Sequence, residues 1–138
     1  MTELRTLIDQ HYEGINTGDL DLALKGTASS VESLSPNGPM HGLAAFREMG
    51  EAFKTAAPDG KISVSNYIES GSTAVVEGVY TGTHTGPLAS PNGLIPATGR
   101  SFEFVFADVF VIRDGQIAEH RIYWDNLSFM AQLGLLPS

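Results

Sequence analysis

Residues 102–124 read FEFVFADVFVIRDGQIAEHRIYW, and their pattern decides the fold. Two runs that alternate apolar and polar residues flank Arg113-Asp114-Gly115, which marks a β-hairpin. A three-residue loop with Gly115 in the left-handed position pairs Ile112 with Gln116. It sets Asp108 opposite His120, Phe106 opposite Ile122 and Phe104 opposite Trp124. One face then carries Phe102, Phe104, Phe106, Asp108, Phe110, Ala118, His120, Ile122 and Trp124. A two-residue turn would instead set Asp108 opposite Arg121 and His120 opposite Val109. The first register is preferred because it gathers the large hydrophobes on one face, as burial demands.

Upstream of this hairpin the same grammar continues. Ile62, Val64, Asn66 and Ile68 alternate with polar neighbours, and Ser70-Gly71-Ser72 turns into a second strand running to His84. Thr85 to Gly99 reads as a long connecting loop of the kind that often lies over a binding site. Before the strands come helices. Leu4, Leu7, Ile8, His11, Tyr12 and Ile15 form one buried helical stripe, closed by Asn16-Thr17-Gly18 with Gly18 as a left-handed cap. Asp19 caps a short second helix. Thr27 to Gly42, rich in Ser, Pro, Asn and Gly, reads as mostly loop. Gly42 opens a third helix with Phe46, Met49 and Phe53 inward, and Asp125 caps a short last one. Helices followed by an antiparallel sheet mean an α+β architecture. If the sheet is strongly curved, the helices cannot fill its hollow and a pocket is left.

The chain has 138 residues, enough for one domain with a real core, and 42% are hydrophobic against 17% charged. Its net charge is −8, from 8 Lys and Arg against 16 Asp and Glu. That balance argues against nucleic acid or an anionic membrane as partner, since both need basic patches. With 0 cysteines there is neither a disulfide framework nor a thiolate metal site. The N-terminus lacks a basic region followed by an apolar run, and no segment has the length of a membrane span, so a soluble, cytoplasmic protein is expected.

An Asp and a His on an aromatic face form the strongest chemical signal. Burial raises a carboxylate pKa and lowers an imidazole pKa, while pairing opposes both shifts, so the pair can hold a proton near neutral pH. The alternative is a satisfied structural hydrogen bond between strands. His84, in Gly82-Thr83-His84-Thr85-Gly86, either sits at the pocket rim as a proton donor or pins the long loop through backbone carbonyls. His11 and Tyr12 ride the buried stripe, and His41 falls in a solvated loop. No two-His-plus-carboxylate spacing suggests a metal, no Gly-rich loop opens a helix for a nucleotide, and no nucleophile elbow is present. No cofactor and no metal are expected.

Several runs together resemble the SnoaL-like (ester cyclase) branch of the NTF2-like superfamily. They are Gly82-Thr83-His84-Thr85-Gly86, Pro96-Ala97-Thr98-Gly99-Arg100, Arg113-Asp114-Gly115-Gln116-Ile117 and the closing Gln132-Leu133-Gly134. The early Asn16-Thr17-Gly18-Asp19 and Gly42 followed by Phe46 fit the same pattern. The resemblance implies a cone-shaped barrel with a pocket open at one end, dimeric or tetrameric through the sheet's outer face, and free of metal and organic cofactor. In the polyketide cyclases of this branch, aldol closure begins with proton abstraction by a pocket aspartate, helped by a histidine and a glutamine on the neighbouring strand. Carried over residue by residue, the aspartate position falls on Ile122, the strand histidine on Asp108 and the glutamine on Phe106. His84 and His120 keep their family identity. The segment from Thr27 to His41 lacks the family's acidic and aromatic strand.

Two functions follow as expectations. One is a cofactor-free enzyme of cyclase, isomerase, lyase or hydrolase type, acting on a small, mostly apolar carbonyl or epoxide compound. In it Asp108 is the base, His120 orients it or relays the proton, and His84 holds a substrate oxygen. Tyr12, Phe46, Met49, Phe53, Phe104, Phe106, Phe110, Ile122 and Trp124 bind the substrate. The other is a binding module without chemistry, favoured by the aliphatic Ile122. With either, Val105, Val109 and Val111 on the outer face suggest a homo-oligomer interface.

Overall fold

Helix α1 (Glu3–Thr17) begins where the Thr2 hydroxyl accepts a bond from the Arg5 amide, and it buries Leu4, Ile8, His11 and Tyr12. It stops at Gly18, whose φ of 74° lies in the left-handed region. Asp19 caps α2 (Leu20–Leu24) by accepting from the Leu22 amide. These two helices nearly touch: a Cβ on Gly14 would lie 2.2 Å from the Ala23 nitrogen. Helix α3 (Leu43–Ala56) starts at Gly42, and α4 (Asn126–Gln132) starts at Asp125, whose side chain accepts from Ser128. The structure, a computed structural model, describes residues 2–136.

Strands β1 (Thr27–Ser35) and β2 (Gly38–His41) form a hairpin where the sequence suggested mostly loop. Propensity was overridden by pairing: β1 lies parallel to β8 (Gln116–Trp124), and Val31 on it is completely buried. Strands β3 (Lys61–Ser70), β4 (Thr73–Thr83) and β7 (Ser101–Arg113) complete a six-stranded sheet of order β2-β1-β8-β7-β4-β3. The stretch expected to be an unbroken loop holds a small separate hairpin, β5 (Leu88–Ser90) with β6 (Gly93–Ile95).

The β7–β8 register differs from the expected one by two residues. Arg113 pairs with Gln116 across a two-residue turn in which Asp114 (φ 53°) and Gly115 (φ 75°) are both left-handed, the geometry that matches strand twist. A bulge then leaves Ala118 without a partner, since Ile112 faces Ile117 while Val111 faces Glu119. The extra residue turns Ile117 into the core, where Ala118 was expected, and returns His120, Ile122 and Trp124 to the inner face. Asp108 therefore sits opposite Ile122, and His120 opposite Phe110. A second bulge, at Ser65 between Val64 and Asn66, similarly breaks the alternation expected of β3. Tyr67 packs on the core and Ile68 is 57% exposed.

The helices close the concave face of the sheet. The α1 stripe packs on Ala74, Val76, Phe106, Phe110 and Ile117, while α4 packs through Phe129 and Leu133 on Phe102 and Phe104. A third cluster joins Ala23, Leu24 and Val31 to Phe46 of α3. Among the described residues no helix is long and apolar enough to cross a membrane.

Candidate functional site

Between the three clusters a cavity of about 210 Å³ remains, open at the C-terminal end of α1. Its walls are the inner faces of α1 and α3 and of strands β3, β4, β7 and β8. Of the residues expected to bind a ligand, Tyr12, Phe46, Met49, Phe53, Phe104, Phe106, Ile122 and Trp124 line it. Phe110 does not. It is completely buried behind the cavity, its ring 4.1 Å from the His120 ring. The two-residue shift in register explains this, because it sets Phe110 beside His120 and Asp108 beside Ile122.

Asp108 and His120 both face the cavity and are 4% and 1% exposed. The Tyr12 hydroxyl donates to Asp108 Oδ2 across 2.5 Å, a bond between α1 and β7 that the helical stripe alone could not reveal. His120 Nε2 stands 3.5 Å from the same oxygen. Asp108 Oδ1 and His120 Nε2 are buried without a hydrogen-bond partner. Buried polar atoms of folded proteins are nearly always paired, so two unpaired ones on one cavity wall call for a chemical reason. Burial, with the Asp108 charge beside it, raises the Tyr12 pKa well above its ordinary value, so the hydroxyl keeps its proton and remains a donor.

His120 is clamped by rings: Phe110 at 4.1 Å, Phe46 at 5.0 Å and His11 at 5.1 Å between centroids. His11 also lines the cavity. Its Nδ1 donates to the Ala23 carbonyl at 2.9 Å, which leaves Nε2 as an acceptor in the neutral ring. Burial, then the neighbouring His120, pulls the His11 pKa down to about 4. Aromatic rings continue outward, with Phe53 edge-on to both Tyr80 and Trp124. Tyr80, also in the wall, has its pKa pushed up to about 12, chiefly by burial.

His84 lies outside this group. Its Nδ1 accepts from the Thr98 amide at 3.2 Å and lies 3.0 Å from the Thr98 hydroxyl, while its backbone pairs with Gly99 and Arg100. These bonds tie His84 to the loop, through side chain rather than carbonyl partners, and its Nε2 is buried without a hydrogen-bond partner. Its neighbours Thr85 and Gly86 cap α3 by donating to the Ala56 carbonyl. His41 is exposed and paired with Glu32. No cluster of three or more potential metal ligands occurs among the described residues.

Three cations at the cavity mouth, Arg47, Lys54 and Lys61, escaped the sequence reading. Exposed cations carry no periodic signal, and these come from two elements: Arg47 and Lys54 from α3, and Lys61 from β3, which Asn16 ties to α1. The Asn16 side chain donates to the Ile62 carbonyl at 2.9 Å and accepts from its amide at 2.7 Å.

A curved sheet closed by helices around a blind apolar cavity with acid–base groups inside it defines an NTF2-like domain. The SnoaL-like polyketide cyclase family model matches residues 5–133, and the chain belongs to that family. Solved structures agree. IdmH of Streptomyces antibioticus, described as a candidate polyketide cyclase, is 25% identical with a TM-score of 0.78, over 96% of this chain and 99% of that one. A candidate SnoaL-like polyketide cyclase from Jannaschia sp. CCS1 is 20% identical with a TM-score of 0.85, over 98% and 94%. TerC, crystallised with polyporic acid, is 19% identical with a TM-score of 0.78, over 96% and 99%. A search of curated proteins finds no match.

Proposed function

We propose that this domain is a cyclase-type enzyme that works without a cofactor on a small, mostly apolar carbonyl compound, with Asp108 as its base. The observation that carries this reading is Asp108 Oδ1, a carboxylate oxygen without a hydrogen-bond partner on the wall of an aromatic cavity. Tyr12 holds the other oxygen, so the carboxylate is fixed in direction while Oδ1 stays free to take a proton. In the reaction a C–H bond next to a substrate carbonyl breaks, its proton passes to Oδ1, and the electron pair moves to the carbonyl oxygen as an enolate. The enolate carbon then attacks a second carbonyl of the same molecule, and the resulting alkoxide takes a proton back. His120, 3.5 Å from Asp108 and held between rings, orients the carboxylate or passes that proton. Apolar walls exclude water and fix the substrate, and a positioned base contributes about 10²–10⁴-fold. The family assignment and TerC's crystallisation with a small organic molecule support this class of ligand.

The decisive experiment measures turnover of a panel of acyclic diketones and polyketo esters, each with a second carbonyl for the enolate to attack, by wild type and by Asp108→Asn. Loss of about 10²-fold or more in kcat with the fold intact is expected; activity that survives the substitution removes Asp108 as the base. A second reading, a carrier that binds without chemistry, rests on Ile122, which lines the cavity where the resemblance places the family's aspartate. Ligand binding with no turnover across the panel would favour it.

We also assign the outer face of the sheet to a homo-oligomer contact. Val105 is 70% exposed there, with Ile68, Val79 and Tyr123 on the same face.

A further inference from the structure

We infer that the cavity mouth recognises a carboxylate on the ligand, so that the preferred substrates are small organic acids, their apolar body inside and their charge at Lys54 and Lys61. The inference rests on the cavity being a ligand pocket. The chain has 8 cationic side chains in all, yet 3 of them, Arg47, Lys54 and Lys61, border this one cavity. Arg47 is neutralised by Asp21 at 2.8 Å and Glu51 at 3.1 Å. The lysines are different. Lys54 Nζ donates to the Gly18 carbonyl at 2.6 Å and Lys61 Nζ to the Asn16 carbonyl at 2.5 Å, and among the described residues neither forms an ion pair with a carboxylate.

Capping the last turn of α1 does not use up these two groups. A helix C-terminus carries roughly half a negative charge, against two whole positive ones here. Each ammonium has three donors and spends one on the helix, which leaves the others for a ligand. Asp59, two residues before Lys61, feels its charge, but its oxygens accept from the Thr83 amide and hydroxyl at 2.8 Å and form no ion pair with the lysine among the described residues. Among the described residues the only carboxylate in the cavity wall is Asp108. Both anchor points, Asn16 and Gly18, lie at the C-terminal end of α1, and both lysines border the cavity there. A ligand carboxylate at these lysines leaves the other end of the molecule inside with the Asp108–Tyr12–His120 group. The charge pattern thus fixes which end of the ligand enters first.

The test compares 4-phenylbutyrate with its methyl ester, using quenching of Trp124, the chain's one tryptophan and part of the cavity wall. Wild type is expected to bind the acid about tenfold more tightly than the ester, the sum of two exposed ion pairs. That preference should fade between about 0.02 and 0.5 M NaCl, as charge screening requires. Lys54→Met with Lys61→Met should bring the acid down to the ester's affinity, while Lys54→Arg with Lys61→Arg keeps the preference. Equal affinity for acid and ester in wild type, or a preference that ignores both salt and the methionine pair, overturns the inference and leaves the pocket reading standing. If neither compound quenches Trp124, the pocket reading itself fails and the inference falls with it. Should the methionine pair not fold, the salt series on wild type decides.

Discussion

Replacing Tyr12 by Phe deletes one oxygen atom and isolates Asp108 Oδ2, which otherwise accepts from that hydroxyl at 2.5 Å. A hydrogen bond to a buried charged group contributes about 1.5–3 kcal/mol, so Tyr12→Phe should lose that much stability in urea denaturation. His11 makes a prediction about acid. Its pKa is about 4 in the folded chain against 6.5 when unfolded, because burial and His120 oppose its charge. Between those values the unfolded chain binds more protons, so stability is full above pH 6.5 and falls as pH drops towards 4, by about 3 kcal/mol from this group. His11→Asn, which can still donate to the Ala23 carbonyl, should flatten that loss in urea titrations between pH 7 and 4. An unchanged slope would mean that another group governs the acid limb. At this scale Asp108 and His120 were legible as facing inward because strand side chains of one parity share a face, and Tyr12 because it falls on the buried helical stripe. Their mutual bonding was not legible: the Tyr12–Asp108 contact joins residues 96 positions apart.

Strands β7 and β8 show why parity survived a wrong register. The two-residue turn shifts pairing by one residue relative to the expected loop, and the bulge at Ala118 shifts it by one more. Two shifts of one residue leave every residue of β7, and every residue of β8 after Ala118, on its original face. Deleting Ala118 should therefore turn either Ile117 or the set His120, Ile122 and Trp124 outward. Ile117 alone is 1% exposed, so the expected loss is about 3 kcal/mol or more, read by urea denaturation, together with loss of ligand quenching if the outer set is the one that turns. Full stability in that variant would show that the bulge is dispensable. Strand β1 was illegible for a related reason. Its Thr27, Ser33 and Ser35 are small polar residues that look like loop, yet all three are buried, and Thr27 and Ser33 pair with Ile117 and His120 far along the chain. The motif around His84 was legible as a motif, but its work is local: it ties β4 to the start of β7 and to the end of α3.

For the molecule as a whole, one side of the sheet is committed to the cavity and the other is left exposed with apolar residues on it. Across the outer face Val79 stands beside Val105, Ala107 beside Tyr123, and Ile68 beside Val75, so the exposed groups form a band over four strands. Val105 at 70% and Tyr123 at 46% exposure would each be costly in water if the chain lived alone, since their neighbours are apolar too. Charge does not forbid a second copy there. Glu77 and Glu119 lie on this face, and Glu119 is held by Arg113 and Arg121 of its own chain. Sedimentation of wild type at micromolar concentration is therefore expected to give a dimer or a tetramer, and Val105→Lys with Tyr123→Lys to give a monomer. Neither residue lines the cavity, so the monomer should still quench Trp124 with ligand; a wild type that sediments as a monomer at all concentrations would leave this face without a partner of its own kind.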